Sequence, residues 1–285
     1  MTWSPVTTFV GLVLAALVPV ALGAQGLPEP GSPDPETART LPIHDSVWLE
    51  ELTWLEVRDL MRAGRTTVLI PTGGVEQNGP NLVLGKHNII LRATMDAVAR
   101  QLGDALVAPV VPFVPEGDID PPSGHMRYPG TVSVTQETFR ALLTDLARSM
   151  KTHGFRNVVL LGDSGGNQAG MGAVAEALAK EWAGSGTEIM FIPEYYDNER
   201  WNAWLAEQGV KEELEGLHDD VRHSSIMMLV NPEHVRASAR MAAGTFQING
   251  VELAPVEKTQ ALARRLVDYQ AQVTVAAIRK RIAGR

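Results

Sequence analysis

The sequence predicts an α/β protein in which a mostly parallel sheet is covered by helices. Four short runs rich in Val, Ile and Leu lack alternating polar residues, which is typical of strands buried on both faces. Amphipathic segments separate these runs, and each run is followed by a polar loop rich in Gly and Pro. Ligands bind at the carboxyl ends of strands in open α/β sheets, so we expect the chemistry in these loops.

Turn residues delimit each predicted strand. The strands are predicted at residues 67–70, 105–111, 157–161 and 188–192. The first ends at Pro71, the second at Pro112 and the fourth at Pro193, whereas the third runs into the loop of residues 162–166.

Four segments with helical spacing of apolar residues lie between or after these strands. Three are predicted at residues 88–102, 171–182 and 256–281. In the fourth, Ser133 and Gln136 form a predicted capping box, and apolar residues recur at helical spacing from Phe139 to Met150. Gly154 stands where such a helix would end.

Composition excludes several classes of protein. The 285 residues are 45% hydrophobic and 20% charged, which is ordinary globular composition and enough chain for one large α/β domain. The formal net charge of −8 argues against a nucleic acid or an anionic membrane surface as the main partner. Because the chain has no cysteine, disulfides, thiolate metal ligands and a cysteine nucleophile are excluded.

The amino-terminal segment is typical of an export signal. Residues 9–22 are nearly all apolar but too few for a comfortable membrane span, and Ala21-Leu22-Gly23 resembles a signal-peptidase site. Because residues 1–8 contain no Lys or Arg, an uncleaved anchor or a buried helix stays open. We predict a signal peptide at 1–24, a flexible leader at 25–40 and one α/β domain at 41–285, exported to the periplasm or outside the cell without a stable membrane anchor after cleavage.

The loop after the first strand carries a candidate metal site. Glu76 and His87 are eleven residues apart on one loop-to-helix segment, and carboxylate and imidazole groups suit Zn, Mn or Fe. Such a pair, taken alone, is also common on a solvated surface.

Three segments resemble the motifs of the creatininase family. Residues 71–87 resemble its first motif, Pro-x-Gly-Ser-x-Glu-Gln-His-Gly-Pro-His-Leu-Pro-Leu-Gly-Thr-Asp, with Glu76, Gly79 and Pro80 in register. Residues 125–131 resemble the His-x-x-Phe-Pro-Gly-Thr segment, and Gly165-Gly166-Asn167 resembles the end of the Asn-Gly-His-Gly-Gly-Asn loop. A weaker match relates residues 218–225 to His-Ala-Gly-x-x-Glu-Thr-Ser.

The resemblance fails at the positions that hold metal in the family. In these motifs a Glu, a His, an Asp, the His of the glycine loop and a later Glu surround one or two divalent ions. The matching positions here are Glu76, Asn78, His87, Ser164 and His223, so four of the five residues differ. Two lost carboxylates have become imidazoles, and we predict a single-metal site formed by Glu76, His87 and His223, with Zn preferred over Mn or Fe. A metal-free site stays open.

The resemblance also suggests roles for the other polar residues. His218 matches a His that lies beside the substrate, so it is the candidate proton donor or acceptor, although an acidic surface segment explains it equally well. We expect Asn78, His125, Ser164 and Asn167 to contact substrate or to support the ligands. The aromatic stretch from Tyr195 to Trp204 is expected to line a pocket, to form a subunit contact or to pack in the core.

The string Gly162-Asp163-Ser164-Gly165-Gly166 also matches the nucleophile motif of chymotrypsin-like proteases. Those proteases are all-β, whereas this string joins a predicted strand to a predicted helix, so we treat the match as coincidence.

A three-layer α/β/α fold and metal-dependent hydrolysis of a carbon–nitrogen bond in a small amide are what the resemblance implies. It also implies a homo-oligomer. A non-catalytic small-molecule binding protein on the same scaffold stays open, as does a metal-dependent lyase, isomerase or lactonase.

Overall fold

The computed structural model describes Met1 and residues 31–284. The chain divides into two compact units, Met1–Ala38 and Arg39–Arg285. In the described part of the first unit, the Asp34 side chain accepts a hydrogen bond from Glu36 N at 2.8 Å. The predicted signal peptide lies outside the described residues except for Met1. Within the described residues, no helix combines the length and apolar character needed to cross a membrane.

A four-stranded parallel sheet forms the centre of the second unit. Its strands are β1 (Thr67–Thr72), β2 (Ala105–Val107), β3 (Asn157–Gly162) and β4 (Glu188–Phe191), in the order β2-β1-β3-β4. The sequence predicted all four, but strand β2 ends earlier than expected. Pro109 has no N–H to continue a ladder, and Val111 makes only an isolated bridge with Thr72.

Eight α-helices and a small antiparallel hairpin complete the described part of the chain. The helices are α1 (Trp54–Arg62), α2 (Lys86–Leu102), α3 (Gln136–Thr152), α4 (Gln168–Glu181), α5 (Asn198–Glu207), α6 (Val221–Val230), α7 (Ala237–Ala242) and α8 (Val256–Ala283). The hairpin pairs β5 (Gln247–Ile248) with β6 (Val251–Glu252). The four predicted helices correspond to α2, α3, α4 and α8.

The sheet is the middle of three layers. Alternate strand residues point to opposite faces, so Val68 and Ile70 pack in one core with the side chains of α1, α3 and α4. Leu69 packs in a second core with α2 and α8. The three-layer α/β/α architecture is therefore confirmed.

Helix α6 packs outside α2 and α8 and carries one side of the site. Its residues from Val221 to Met228 are all buried, and a third core joins them to α8 and to the β5–β6 hairpin. A helix buried on every side has no amphipathic stripe, which explains why the sequence pattern did not predict it.

Helix α3 begins differently from the prediction. Its N-cap is Thr135, whose side chain accepts a hydrogen bond from Thr138 N at 3.1 Å. Ser133 was predicted as the cap, but its hydroxyl accepts from Glu116 N at 3.0 Å and so holds a loop beside the site. The helix does end as predicted, with Gly154 in the left-handed region at φ +97° just after the last turn.

Candidate active site

A cavity of about 720 Å³ lies at the carboxyl edge of the sheet. The loops after β1 and β3 supply Glu76 and Asp163, and α2 supplies His87. Six of the eight residues singled out from the sequence line this cavity, namely Glu76, His87, His125, Ser164, His218 and His223. The structure thus brings together residues from widely separated parts of the chain.

The other two, Asn78 and Asn167, are buried in the scaffold around the cavity. Asn78 Nδ2 donates to the carbonyls of Glu76, Val83 and Leu84, and so closes its own loop. Asn167 Nδ2 donates to Gly73 O at 2.8 Å and to Thr72 Oγ1 at 3.0 Å, and so joins the loops after β1 and β3. Both side chains thus hold together the loops around the cavity.

His87 lies between two buried carboxylates. Its Nε2 is 2.7 Å from Glu76 Oε1 and its Nδ1 is 2.8 Å from Asp163 Oδ2. Burial alone would raise the pKa of Asp163, but Arg222 and His223 hold it well below the usual value, so Asp163 is ionised. Carboxylates only accept, so a proton or a metal cation must lie between His87 Nδ1 and Asp163.

One ring nitrogen of His223 is hydrogen-bonded and the other is not. Its Nδ1 is 2.5 Å from Asp220 Oδ2, and Asp220 also caps the start of α6 by accepting from His223 N. The ring's Nε2 is buried, makes no hydrogen bond to the described residues, and lies 3.5 Å from Asp163 Oδ2. Burial would lower the pKa of His223, but the charges of Asp220 and Asp163 raise it overall.

Among the described residues, the potential ligand atoms form two groups of three. One group comprises His87, Asp163 and His223, all buried, and the other comprises Glu76, His125 and His218. In each group the ligand atoms lie within 4.8 Å of one another. The predicted set of Glu76, His87 and His223 is therefore divided between the two groups, and Asp163 is the carboxylate beside the two histidines.

Gln77 orients the two histidine rings of the second group. Its backbone carbonyl accepts from His218 Nδ1 at 2.9 Å, which leaves His218 Nε2 unprotonated in the neutral ring. The Gln77 side-chain oxygen accepts from Gly79 N, so its amide NH₂ faces His125 Nδ1 at 3.3 Å. His125 Nε2–H then points at Glu76 Oε2, 3.3 Å away.

The backbone at His218 supports a functional role. Its φ of +64° is in the left-handed region, which is uncommon for a residue other than glycine and clusters at functional sites. Burial, and then the positive charge of Lys86, lower the pKa of His218, so its ring is neutral at neutral pH.

Glu76 and Glu116 are neighbouring buried carboxyl groups beside these histidines. Burial, together with the bond to Glu76 and its charge, raises the pKa of Glu116 to about 10, so Glu116 is a neutral acid. Burial would raise the pKa of Glu76 too, but its interactions with His87, the bond to Glu116 and the charge of Lys86 lower it overall, so Glu76 is the ionised partner. Lys86 Nζ lies 3.7 Å from Glu76 Oε1 and is itself buried.

Five polar residues of the site were missed from the sequence. They are Lys86, Glu116, Asp163, Asp220 and Arg222, which pairs with Asp163 Oδ1 at 2.8 Å. Asp163 could have been predicted, because it is the first polar residue after a predicted strand. Asp220 could also have been predicted. A carboxylate three residues before a His can both cap a helix and contact the ring of that His. Lys86, Glu116 and Arg222 carry no comparable signal.

The aromatic stretch contributes residues both to the core and to the cavity lining. Tyr195 and Trp201 are fully buried in the core, and the Tyr195 hydroxyl bonds to Thr94 Oγ1 at 2.7 Å. Tyr196 instead lines the cavity.

A three-layer α/β fold with a cavity of histidines and carboxylates at the sheet's carboxyl edge is an arrangement that can hold a divalent metal ion and a small ligand. The family model described as creatininase, creatinine amidohydrolase, matches residues 50–272, which is most of the chain. The chain belongs to the creatininase family.

Curated relatives match less than half of the chain. A creatinine amidohydrolase of Pseudomonas putida is 30% identical over 116 residues, which are 41% of this chain and 44% of that protein. A mycofactocin precursor peptide peptidase of Mycolicibacterium smegmatis is 32% identical over 132 residues, 45% of this chain and 51% of that protein. The chain thus aligns with about half the length of these relatives.

Solved structures share the fold. A structure named "Creatininase Mn" superimposes with a TM-score of 0.62 at 20% identity and covers 83% of this chain and 99% of that one. A creatinine amidohydrolase crystal structure gives a TM-score of 0.60 at 20% identity over 85% of this chain and 98% of that one.

Proposed function

We propose that this chain is a metal-dependent hydrolase that cleaves a carbon–nitrogen, amide-like bond in a small molecule or short peptide. We further propose that it uses one divalent ion held by His87, Asp163 and His223. Family membership supports hydrolysis of a carbon–nitrogen bond, since two relatives are named as an amidohydrolase and a peptidase. Of the three ligands predicted from sequence, His87 and His223 are kept, whereas Glu76 supports His87.

The partners of the three proposed ligands carry this proposal. A ligating histidine ordinarily donates its other ring N–H to a carboxylate, and a ligating carboxylate is itself held by a hydrogen bond. His87 has Glu76 at 2.7 Å, His223 has Asp220 at 2.5 Å, and Asp163 has Arg222 at 2.8 Å. The remaining atom of each residue faces the other two. The residues present therefore fit one ion of the zinc, manganese or iron type.

The buried charges favour one ion over two. Asp163 is paired with Arg222, and Glu76 lies beside Lys86. Each of the two deepest carboxylates thus already has a fixed cation, and two divalent ions would add four positive charges to the same region. A single ion that replaces the proton on His223 would add much less positive charge to this region.

The bound ion would supply Lewis-acid polarisation of the substrate carbonyl and activation of the attacking water. His218 lines the cavity with a fixed ring and a free Nε2, so it can take a proton there and return it to the departing nitrogen. Glu116 keeps its proton and can donate a hydrogen bond within the cavity. Tyr196 and Ser164 contribute further polar groups to the lining.

The substrate we propose is small. A cavity of about 720 Å³ is within the range that encloses a small molecule or part of a peptide. Assembly into a homo-oligomer, implied by the resemblance, belongs to the same proposal.

Metal content tests the proposal directly. Protein purified from medium supplemented with Zn and Mn, analysed by inductively coupled plasma mass spectrometry, should hold close to one equivalent per chain. His87→Ala, Asp163→Ala and His223→Ala should each retain less than about a tenth of that metal, because losing one of three ligands removes most of the affinity. The exposed His153→Ala is the matched control and should bind like wild type.

Activity is measured on the same proteins with cyclic amides and short peptides. Turnover should stop with a chelator and return when the metal is restored. A wild-type protein without metal would favour the non-catalytic binding protein. A metal-loaded protein that hydrolyses no amide but converts a lactone would favour the other metal-dependent chemistries.

A further inference from the structure

The position of Lys86 is unfavourable on two counts. Lys86 is the first residue of α2, where the positive end of the helix dipole disfavours a cation, and the cap Gly85 offers no side chain. Its side chain is 3% exposed, and burying an ammonium group costs free energy unless an anion is near. The Glu76 carboxylate, 3.7 Å from Lys86 Nζ, supplies that anion. Where the family's first motif has Thr, this chain has Lys86.

The same carboxylate belongs to the second group of ligand atoms. His218 Nε2 lies 3.8 Å from Glu76 Oε1, and His125 Nε2 lies 3.3 Å from Glu76 Oε2. With metal–oxygen distances of about 2 Å, an ion bound to Glu76 Oε1 would lie within about 6 Å of the Lys86 ammonium. The two cations would repel each other in a largely buried region.

We propose that Lys86 is a built-in counter-cation that keeps a second divalent ion out of the group formed by Glu76, His125 and His218. The ammonium neutralises Glu76 in place of a metal and leaves the two histidines free to handle substrate and protons. The inference rests on the proposed single-ion site, since it explains why the second group stays without an ion.

The experiment is a zinc titration in a chelator-buffered solution, with stoichiometry read by native mass spectrometry. Lys86→Met removes the charge and keeps the length of the side chain. It should bind a second zinc at least about 100-fold more tightly than wild type does, and His218→Ala in the Lys86→Met background should return the count to one. Lys180→Met removes an exposed lysine, 74% accessible, and is the matched control that should stay at one.

The outcomes separate the two proposals. A folded Lys86→Met protein that still binds one zinc, or a wild type that binds two, would overturn the role of Lys86. Zinc absent from wild type but bound by Lys86→Met through His218 would overturn the single-ion site and leave the role of Lys86 intact. Zinc absent from both would overturn both. Lys86→Gln, also neutral, repeats the measurement if the Met variant does not fold.

Discussion

Two neighbouring carboxyl groups of the cavity differ in charge. Glu116 is 5% exposed and neighbours Glu76. Two adjacent buried carboxyl groups are not both ionised, because their negative charges repel each other. Glu76 ionises because His87 and Lys86 lie beside it, whereas burial and the neighbouring Glu76 keep the proton on Glu116. The environment of each side chain, rather than its type, decides which one carries the charge.

This asymmetry predicts a pH-dependent effect of Glu116→Gln in chelator-treated protein. The folded pKa of Glu116, about 10, is above its ordinary value of 4.5, so wild type loses stability as pH rises between these values. An amide cannot ionise and avoids that loss. Relative to wild type, the variant should gain unfolding free energy steadily between pH 5 and pH 8, by up to about 1.4 kcal/mol per pH unit.

Urea unfolding at a series of pH values measures this difference. The exposed Glu199→Gln is the control and should show no pH-dependent gain. A difference between Glu116→Gln and wild type that stays constant from pH 5 to pH 9 would show that Glu116 is ionised in the folded protein.

At the scale of elements, a two-stranded hairpin holds the loop that carries His218 and Asp220. Asn249, at the turn between β5 and β6, is buried and has a φ of +50°. Its Nδ2 donates to Glu212 Oε1 and to Asp219 O, both at 3.0 Å, and its Oδ1 accepts from Glu215 N at 3.2 Å. One side chain at the wall of the cavity therefore fixes both ends of residues 212–219.

Asn249→Gly should loosen this loop while leaving the fold intact. Glycine tolerates the left-handed backbone, so the variant removes the three side-chain bonds without adding strain. At about 1 kcal/mol per bond, amide exchange at Glu215 should accelerate by at least about tenfold, with little change at the sheet residue Val159.

Hydrogen exchange followed by mass spectrometry or NMR checks this prediction. Asn202→Ala, an exposed change on α5, should alter neither region. Unchanged exchange in residues 212–219 would mean that the loop is held by other contacts.

At the scale of the whole molecule, the parallel sheet gathers one site from distant parts of the chain. The carboxyl ends of β1 and β3 lie side by side, so the Glu76 and Asp163 loops meet there. Helix α6 then adds Arg222 and His223 from a third direction. The site is complete only when all three layers and α6 are packed.

We propose that the mature protein is exported and begins near Ala24 or Gln25. The apolar run of residues 9–22 and the small residues after it motivate this proposal. Amino-terminal sequencing of protein from the native host, with cell fractions assayed separately, should find the shortened chain outside the cytoplasm. An intact Met1 on that protein would contradict cleavage.

The sequence by itself determined all four strands, because buried parallel strands are continuous apolar runs. Its resemblance to the creatininase motifs implied the three layers and six of the residues that line the cavity, because those motifs are local. Only the tertiary structure decided which ligand atoms converge. Glu76 turned out to hold His87, Asp163 took its place beside the two histidines, and Lys86 and Arg222 supplied buried cations. These pairings join residues up to 76 positions apart, as in Asp163 and His87. No local pattern encodes them, because charge pairing depends on distances that are set when the layers pack.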